Sequence, residues 1–199
     1  LICFRDFPVA IGITAGAREY LAADICLKYM KEAISEPCNE EQLEAAEKAL
    51  RAKLNSLSLV QPEGTFRTAR KEAAKLFDRK ILFTENPRKV ESVVFTKEGY
   101  RIKIEAVING EQKTLYASYK AWKRNNLYPD DFTKKYQSVA YAMDAEALYL
   151  SVGLINTSYK EEYSLWVNSE DKVIATWRPN VTYLPEEPDM VWKFTGTFE

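Results

Sequence analysis

Histidine is absent from the 199 residues of this chain. Without an imidazole there is no His-dependent catalytic triad and no zinc motif built on imidazole ligands. Chemistry would have to rest on carboxylates, Lys, Tyr, Ser or Cys. Cysteine is scarce as well: Cys3, Cys26 and Cys38 are an odd number with no C-x-x-C pair. They suit neither a disulfide framework nor a four-cysteine metal site, and free thiols in a reducing, cytoplasmic compartment are expected. Neither sign of charge is in excess, because 28 basic and 29 acidic residues leave a formal net charge of −1. No global field therefore draws the chain to nucleic acid. No apolar run approaches the ~18 residues of a membrane span, and no membrane partner is expected. The run Gly12-Ile-Thr-Ala-Gly16 lacks the Lys-Ser/Thr of a phosphate-binding loop and the third Gly of a dinucleotide fingerprint, so it reads as a turn into a helix.

What is present suits a packed core: 46% of the residues are apolar and 29% charged. The expected organisation is a single domain over 1–199, with a helical N-terminal part, 14–78, and a sheet-rich core, 80–199. Leu21, Ile25, Tyr29 and Ile34 make an approximate apolar stripe. A second helix starts at Asn39, with Gln42 at capping-box spacing and Leu43, Ala46, Leu50 and Leu54 at helical intervals. A short helix with a basic face, Arg67, Arg70, Lys71 and Lys75, is predicted over 65–77. Beyond Lys80 the pattern turns to strands. In 101–108, Ile102, Ile104, Ala106 and Ile108 alternate with Arg101, Lys103, Glu105 and Val107; Asn109-Gly110 is a hairpin turn into a partner strand over 114–120. The apolar positions Phe132, Tyr136, Val139, Ala140, Met143 and Ala147 follow a helical period and predict a helix over 132–145. Further strands are expected over 147–156, 162–168, 172–177 and 191–198.

This order, and the residues of 100–155, resemble the core of PD-(D/E)XK nucleases, in the branch of RecB-like and Cas4-like exonucleases and phage recombination exonucleases. Glu105 falls at the first acid of that motif, Lys120 at its lysine, and Gln137 with Tyr141 at its Gln-x-x-x-Tyr helix. The resemblance implies an α+β fold, mixed α/β, with a central, mostly antiparallel or mixed sheet flanked by helices, a restriction-endonuclease-like core. It also implies metal-dependent phosphodiester hydrolysis on DNA. Glu105 would bind Mg²⁺, Lys120 would serve the attacking water, and Gln137 and Tyr141 would support the site. One position departs from the motif. Ser118 stands two before the lysine, where a second acid belongs, so the motif is degenerate: an active site would need another carboxylate beside Glu105, and without one the chain is an inactive relative.

The same residues have plainer readings. Glu105 pairs with Lys103 or the Lys113 region on a wet sheet face, Lys120 ends a strand, and Tyr141 packs in the core. Lys123, Arg124, Lys134 and Lys135, set among Tyr119, Trp122, Tyr128 and Tyr136, suit either single-stranded DNA or a partner protein. The C-terminal aromatics Tyr149, Tyr163, Trp166, Trp177, Trp192 and Phe194 support an alternative class: a non-catalytic ligand- or protein-binding α+β module using an aromatic-rich sheet face.

Overall fold

The structure, a computed structural model, describes residues 2–3, 10–11, 21–35, 39–128, 130–131, 135–180 and 190–199. The chain divides into two compact units, Leu1–Val60 and Gln61–Glu199. The first holds a short antiparallel ladder, β1 (Ile2–Cys3) with β2 (Ala10–Ile11), and two helices, α1 (Leu21–Ser35) and α2 (Glu40–Ser56). The capping box of α2 forms as the sequence indicates. Asn39 Oδ1 accepts from the Gln42 backbone N–H at 2.9 Å, and Gln42 Oε1 accepts from the Asn39 N–H at 3.0 Å. Cys26 lies on α1 as a free thiol.

The second unit is a β-barrel. Its strands are β3 (Lys80–Phe83), β4 (Val90–Glu98), β5 (Arg101–Ile108), β6 (Glu111–Tyr119), β7 (Lys123–Asn126), β8 (Tyr136–Met143), β9 (Ala147–Leu154), β10 (Lys160–Val167), β11 (Val173–Pro179) and β12 (Trp192–Phe198). Consecutive strands from β3 to β6 and from β7 to β12 pair as antiparallel neighbours, and β12 pairs with β3. The ring closes on β8. β6 meets it in parallel at Ser118↔Ala140 and Tyr119↔Tyr141, while β7 runs antiparallel along the rest of the same edge. Closure leaves few exposed sheet edges and turns every strand's apolar face into one interior. Ile102, Ile104 and Ala106 of β5 face that interior, as do Leu148, Leu150 and Val152 of β9.

One end of the barrel is plugged. A 3₁₀ turn, Lys71–Leu76, buries Ala73 and Leu76 completely. Ahead of it, the Thr65 and Phe66 N–H groups donate to the Met143 carbonyl at 2.9 and 2.7 Å. Gly64 allows this approach, because it sits at φ +104° and a Cβ there would lie 2.7 Å from the Met143 carbonyl oxygen. The plugged end also carries the β8–β9 turn, organised by Asp144. Asp144 Oδ1 accepts from the Glu146 and Ala147 N–H groups at 2.8 and 2.7 Å, and Oδ2 from the Tyr149 hydroxyl at 2.6 Å. Burial pushes the Asp144 carboxyl up, but the Tyr149 hydroxyl and the backbone donors outweigh it and hold the group below the ordinary carboxylate value. A depressed value means that the folded state binds the proton less readily than the unfolded chain. The stabilisation is therefore complete at neutral pH and disappears as pH falls through the folded value. Asp144→Asn is expected to cost about 1–2 kcal/mol near pH 7, with the gap to wild type narrowing below about pH 4. Urea unfolding at both pH values measures this; a gap that stays constant contradicts the assignment.

The architecture corrects the expected fold class. Instead of a restriction-endonuclease-like core, the sheet of the second unit curls into a barrel and its interior is the core. The helix expected over 132–145 is likewise corrected. Residues 132–134 lie outside the described residues, and Tyr136–Met143 is a strand. The cause is visible in its burial. Val139, Tyr141 and Met143 point inward, yet Ala140 and Ala142 are also fully buried. With both faces buried, the two-residue alternation vanishes from the sequence and chance spacing imitates a helix. The short helix expected over 65–77 contracts to the 3₁₀ turn.

Candidate functional site

The half of the barrel opposite the plug holds a cavity of about 130 Å³. Its wall is almost wholly aliphatic and aromatic, with contributions such as Phe95, Ile104, Leu115, Val139, Leu150 and Phe194. A β-bulge shapes it. The β4–β5 register shifts between Val90 and Ser92, which turns both Val90 and Val93 toward the cavity. Small side chains, Ala106 on β5 and Ala175 on β11, leave the space that larger residues would fill.

Polar groups in the wall are few and gathered at one end. Arg88 is carried by the β3–β4 loop, which the buried Asn86 side chain holds in shape. Asn86 Nδ2 donates to the carbonyls of Thr84 (2.9 Å) and Val90 (2.8 Å), and Asn86 Oδ1 accepts from the Val90 N–H (3.1 Å). Arg88 Nη2 reaches Glu161 Oε1 at 3.1 Å and Arg88 Nε donates to the Tyr163 hydroxyl oxygen at 3.3 Å. The Tyr163 hydroxyl in turn donates to Glu161 Oε2 at 2.7 Å. Glu161 and Tyr163 are two apart on β10 and so share its inward face. Both carboxylate oxygens of Glu161 are thereby engaged, and its side chain is 9% exposed against 36% for Arg88. Burial works against the Arg88 charge, but Tyr163 and Glu161 more than offset it and hold the guanidinium above its ordinary value. Burial, reinforced by Glu161, pushes the Tyr163 phenol up, so it stays protonated at any working pH.

Gln137 belongs to the same cavity. It faces inward from β8, is 8% exposed, and its side-chain amide makes no hydrogen bond among the described residues. Tyr141, one inward position beyond Val139, is fully buried near the plugged end. Its hydroxyl donates to the Arg67 carbonyl at 3.0 Å and accepts from Lys97 Nζ at 2.7 Å. Burial lifts the Tyr141 phenol to about 12.

The four residues of the nuclease-like motif do not form one site. Glu105 sits on the outer wall of β5, where Lys103 Nζ pairs with it at 3.0 Å. Lys120 occupies a turn at φ +42°, its N–H donating to the Tyr141 carbonyl at 2.9 Å. That contact brings the Lys120 backbone beside Tyr141, while Gln137 opens into the cavity on the other side of the wall from Glu105. For Mg²⁺ the donor set does not fit: Glu105 is spent on Lys103, and no group of three His, Cys, Asp or Glu able to hold a metal occurs among the described residues. The resemblance to PD-(D/E)XK nucleases is therefore overturned by the barrel itself, and the nuclease, hydrolase, DNA-binding and phage expectations go with it. Among the basic residues expected on DNA, Arg124 and Lys135 lie over the Tyr136 ring at 3.8 and 5.4 Å, Lys123 pairs opposite Val139, and Lys134 lies outside the described residues. The aromatic set splits, Tyr163 and Phe194 lining the cavity while Trp166 lies under Lys193 on the outer wall. Among the described residues no helix is long and apolar enough to cross a membrane.

Arg88 and Glu161 have no place in the sequence reading, and Tyr163 enters it only among the C-terminal aromatics. Only an unexpected acid at an inward position of a strand, Glu161 ahead of Tyr163 and Leu165, marks them, and that signal depends on knowing the register.

No family model and no curated protein matches the sequence. Solved structures similar in form include two lipid-related proteins. One is the apo lipid binding protein 8 of Caenorhabditis elegans, with a TM-score of 0.49 and 7% identity over 66% of this chain and 100% of that one. The other is the fatty-acid-binding protein of Manduca sexta, with a TM-score of 0.45 and 10% identity over 61% of this chain and 98% of that one.

Proposed function

We propose that the barrel is a non-catalytic binding module that takes a small, mainly apolar molecule into its interior. The observation that carries this reading is the apolar cavity of about 130 Å³ inside an otherwise packed barrel, with one polar end. Protein interiors are packed without such spaces, and an apolar void of comparable size, about 150 Å³, accepts benzene. A ligand with six carbons is therefore the right scale. Burying about six methylene equivalents is worth about 5 kcal/mol, which corresponds to a dissociation constant of about 0.2 mM.

1-Hexanol is a suitable probe. Titration followed by methyl NMR should shift Leu150, Val152 and Leu165, all on the cavity wall, and at about 10 mM the alcohol should raise stability by about 2 kcal/mol. Ala106→Leu, which projects three extra carbons into the space, should weaken binding at least tenfold while leaving the melting temperature equal or higher. Saturable shifts confined to outer-wall residues, or an Ala106→Leu variant that binds as well as wild type, would reject an interior site.

A further inference from the structure

We infer that Glu161 is a specificity-determining residue: by occupying Arg88 it restricts the cavity to uncharged ligands. This rests on the interior-binding reading above. Among the described residues, Arg88 and Glu161 are the two charged ones in the cavity wall, and they face each other at 3.1 Å. A guanidinium in an apolar cavity is the natural partner of a ligand carboxylate, because its forked N–H groups match the two oxygens. Here that role is already filled from within the chain. Glu161 takes Nη2, the Tyr163 hydroxyl takes Nε, and the same hydroxyl donates to the second oxygen of Glu161.

An entering carboxylate would meet two obstacles. It would be repelled by Glu161 at close range, and to reach Arg88 it would have to displace a carboxylate that is 9% exposed and has no other cation in the wall among the described residues. A neutral ligand meets neither. It finds instead the Gln137 amide, 8% exposed and without a hydrogen bond among the described residues. An amide supplies both a donor and an acceptor, so a hydroxyl, carbonyl or amide on the ligand can be satisfied there. The ligand class is thus an uncharged, largely apolar molecule bearing one such group.

The test compares 1-hexanol with hexanoate, matched in chain length, at a pH where the acid is ionised. Wild type should bind the alcohol at least tenfold more tightly. Glu161→Gln, which frees Arg88 while keeping the side chain's shape, should move the hexanoate-to-hexanol affinity ratio at least tenfold toward the acid. Glu161→Leu, better suited to an apolar wall, should do the same and serves if the amide variant does not fold. The double variant Arg88→Gln/Glu161→Gln should abolish the gain. A wild type that binds hexanoate as tightly as hexanol overturns the inference, and so does an unchanged ratio in a folded Glu161 variant. Failure of both probes to bind wild type is a different result, which rejects interior binding itself.

Discussion

Arg88→Met is expected to lower the unfolding free energy by about 3 kcal/mol, within the range for breaking a buried ion pair from one side. The size of the effect follows from which partner is stranded. Glu161 is 9% exposed and sits in an aliphatic wall, so without Arg88 its charge keeps, among the described residues, the Tyr163 hydroxyl at 2.7 Å. That remaining bond places the loss nearer the lower than the upper part of the range. The reverse change is milder. Arg88 is 36% exposed, so in Glu161→Gln its charge stays partly hydrated where it is, and the expected loss is about 1–2 kcal/mol. Arg88→Met also removes the guanidinium that lies 5.4 Å from the Trp177 ring centre, a contact that adds to the asymmetry. Urea denaturation of both variants in the same buffer decides the matter. If Glu161→Gln proves the more damaging of the two, the burial difference does not control the pair.

Several elements were legible in the sequence, and particular residues show why. The Asn39–Gln42 capping box and the Asn109-Gly110 hairpin are local signals: each needs only residues within a few positions, and each forms as read. Alternation in 101–108 gave β5 its inward face for the same reason, since one side of that strand meets solvent. β8 carries no strand signal because Ala140 and Ala142 are buried opposite Val139 and Tyr141, which erases alternation. That loss of alternation supplies the helix on which the Gln137–Tyr141 spacing resembles a nuclease motif. The site was less accessible still. Arg88 lies in a loop and Glu161 on a strand, and nothing in the spacing of residues 73 apart reveals that their charges meet. Gln137 was singled out for a catalytic setting, and the structure places it at an apolar cavity instead. Barrel closure, where β6 and β7 both meet β8, has no local signature either.

That closure leads to the second large effect. β6 pairs with β8 at Ser118 and Tyr119, and β7 takes the same edge along 136–139, so the seam between β7 and the part of β6 ahead of Ser118 needs a replacement for missing ladder bonds. Asn125 provides it. Its Oδ1 accepts from the Tyr116 N–H at 2.7 Å, and its Nδ2 donates to the carbonyls of Tyr116 at 3.0 Å and Lys123 at 2.9 Å. A side-chain amide thus reproduces both halves of a backbone rung, and it does so at 8% exposure. Asn125→Leu, close in volume, would leave the Tyr116 N–H and C=O without partners inside the wall. At about 1–3 kcal/mol for each orphaned group, the expected loss is about 2–5 kcal/mol, a large part of the ~5–15 kcal/mol that holds a domain folded. Asn125→Asp should be intermediate, because one carboxylate oxygen still accepts from Tyr116 N–H while the other is set against a carbonyl. Hydrogen exchange gives a local readout: the Tyr116 amide should lose protection in Asn125→Leu well beyond the change at Val94, which pairs with Glu105 in the intact β4–β5 ladder. Equal loss at both amides, or a stability change under about 1 kcal/mol, would mean that the seam is closed by something other than this amide.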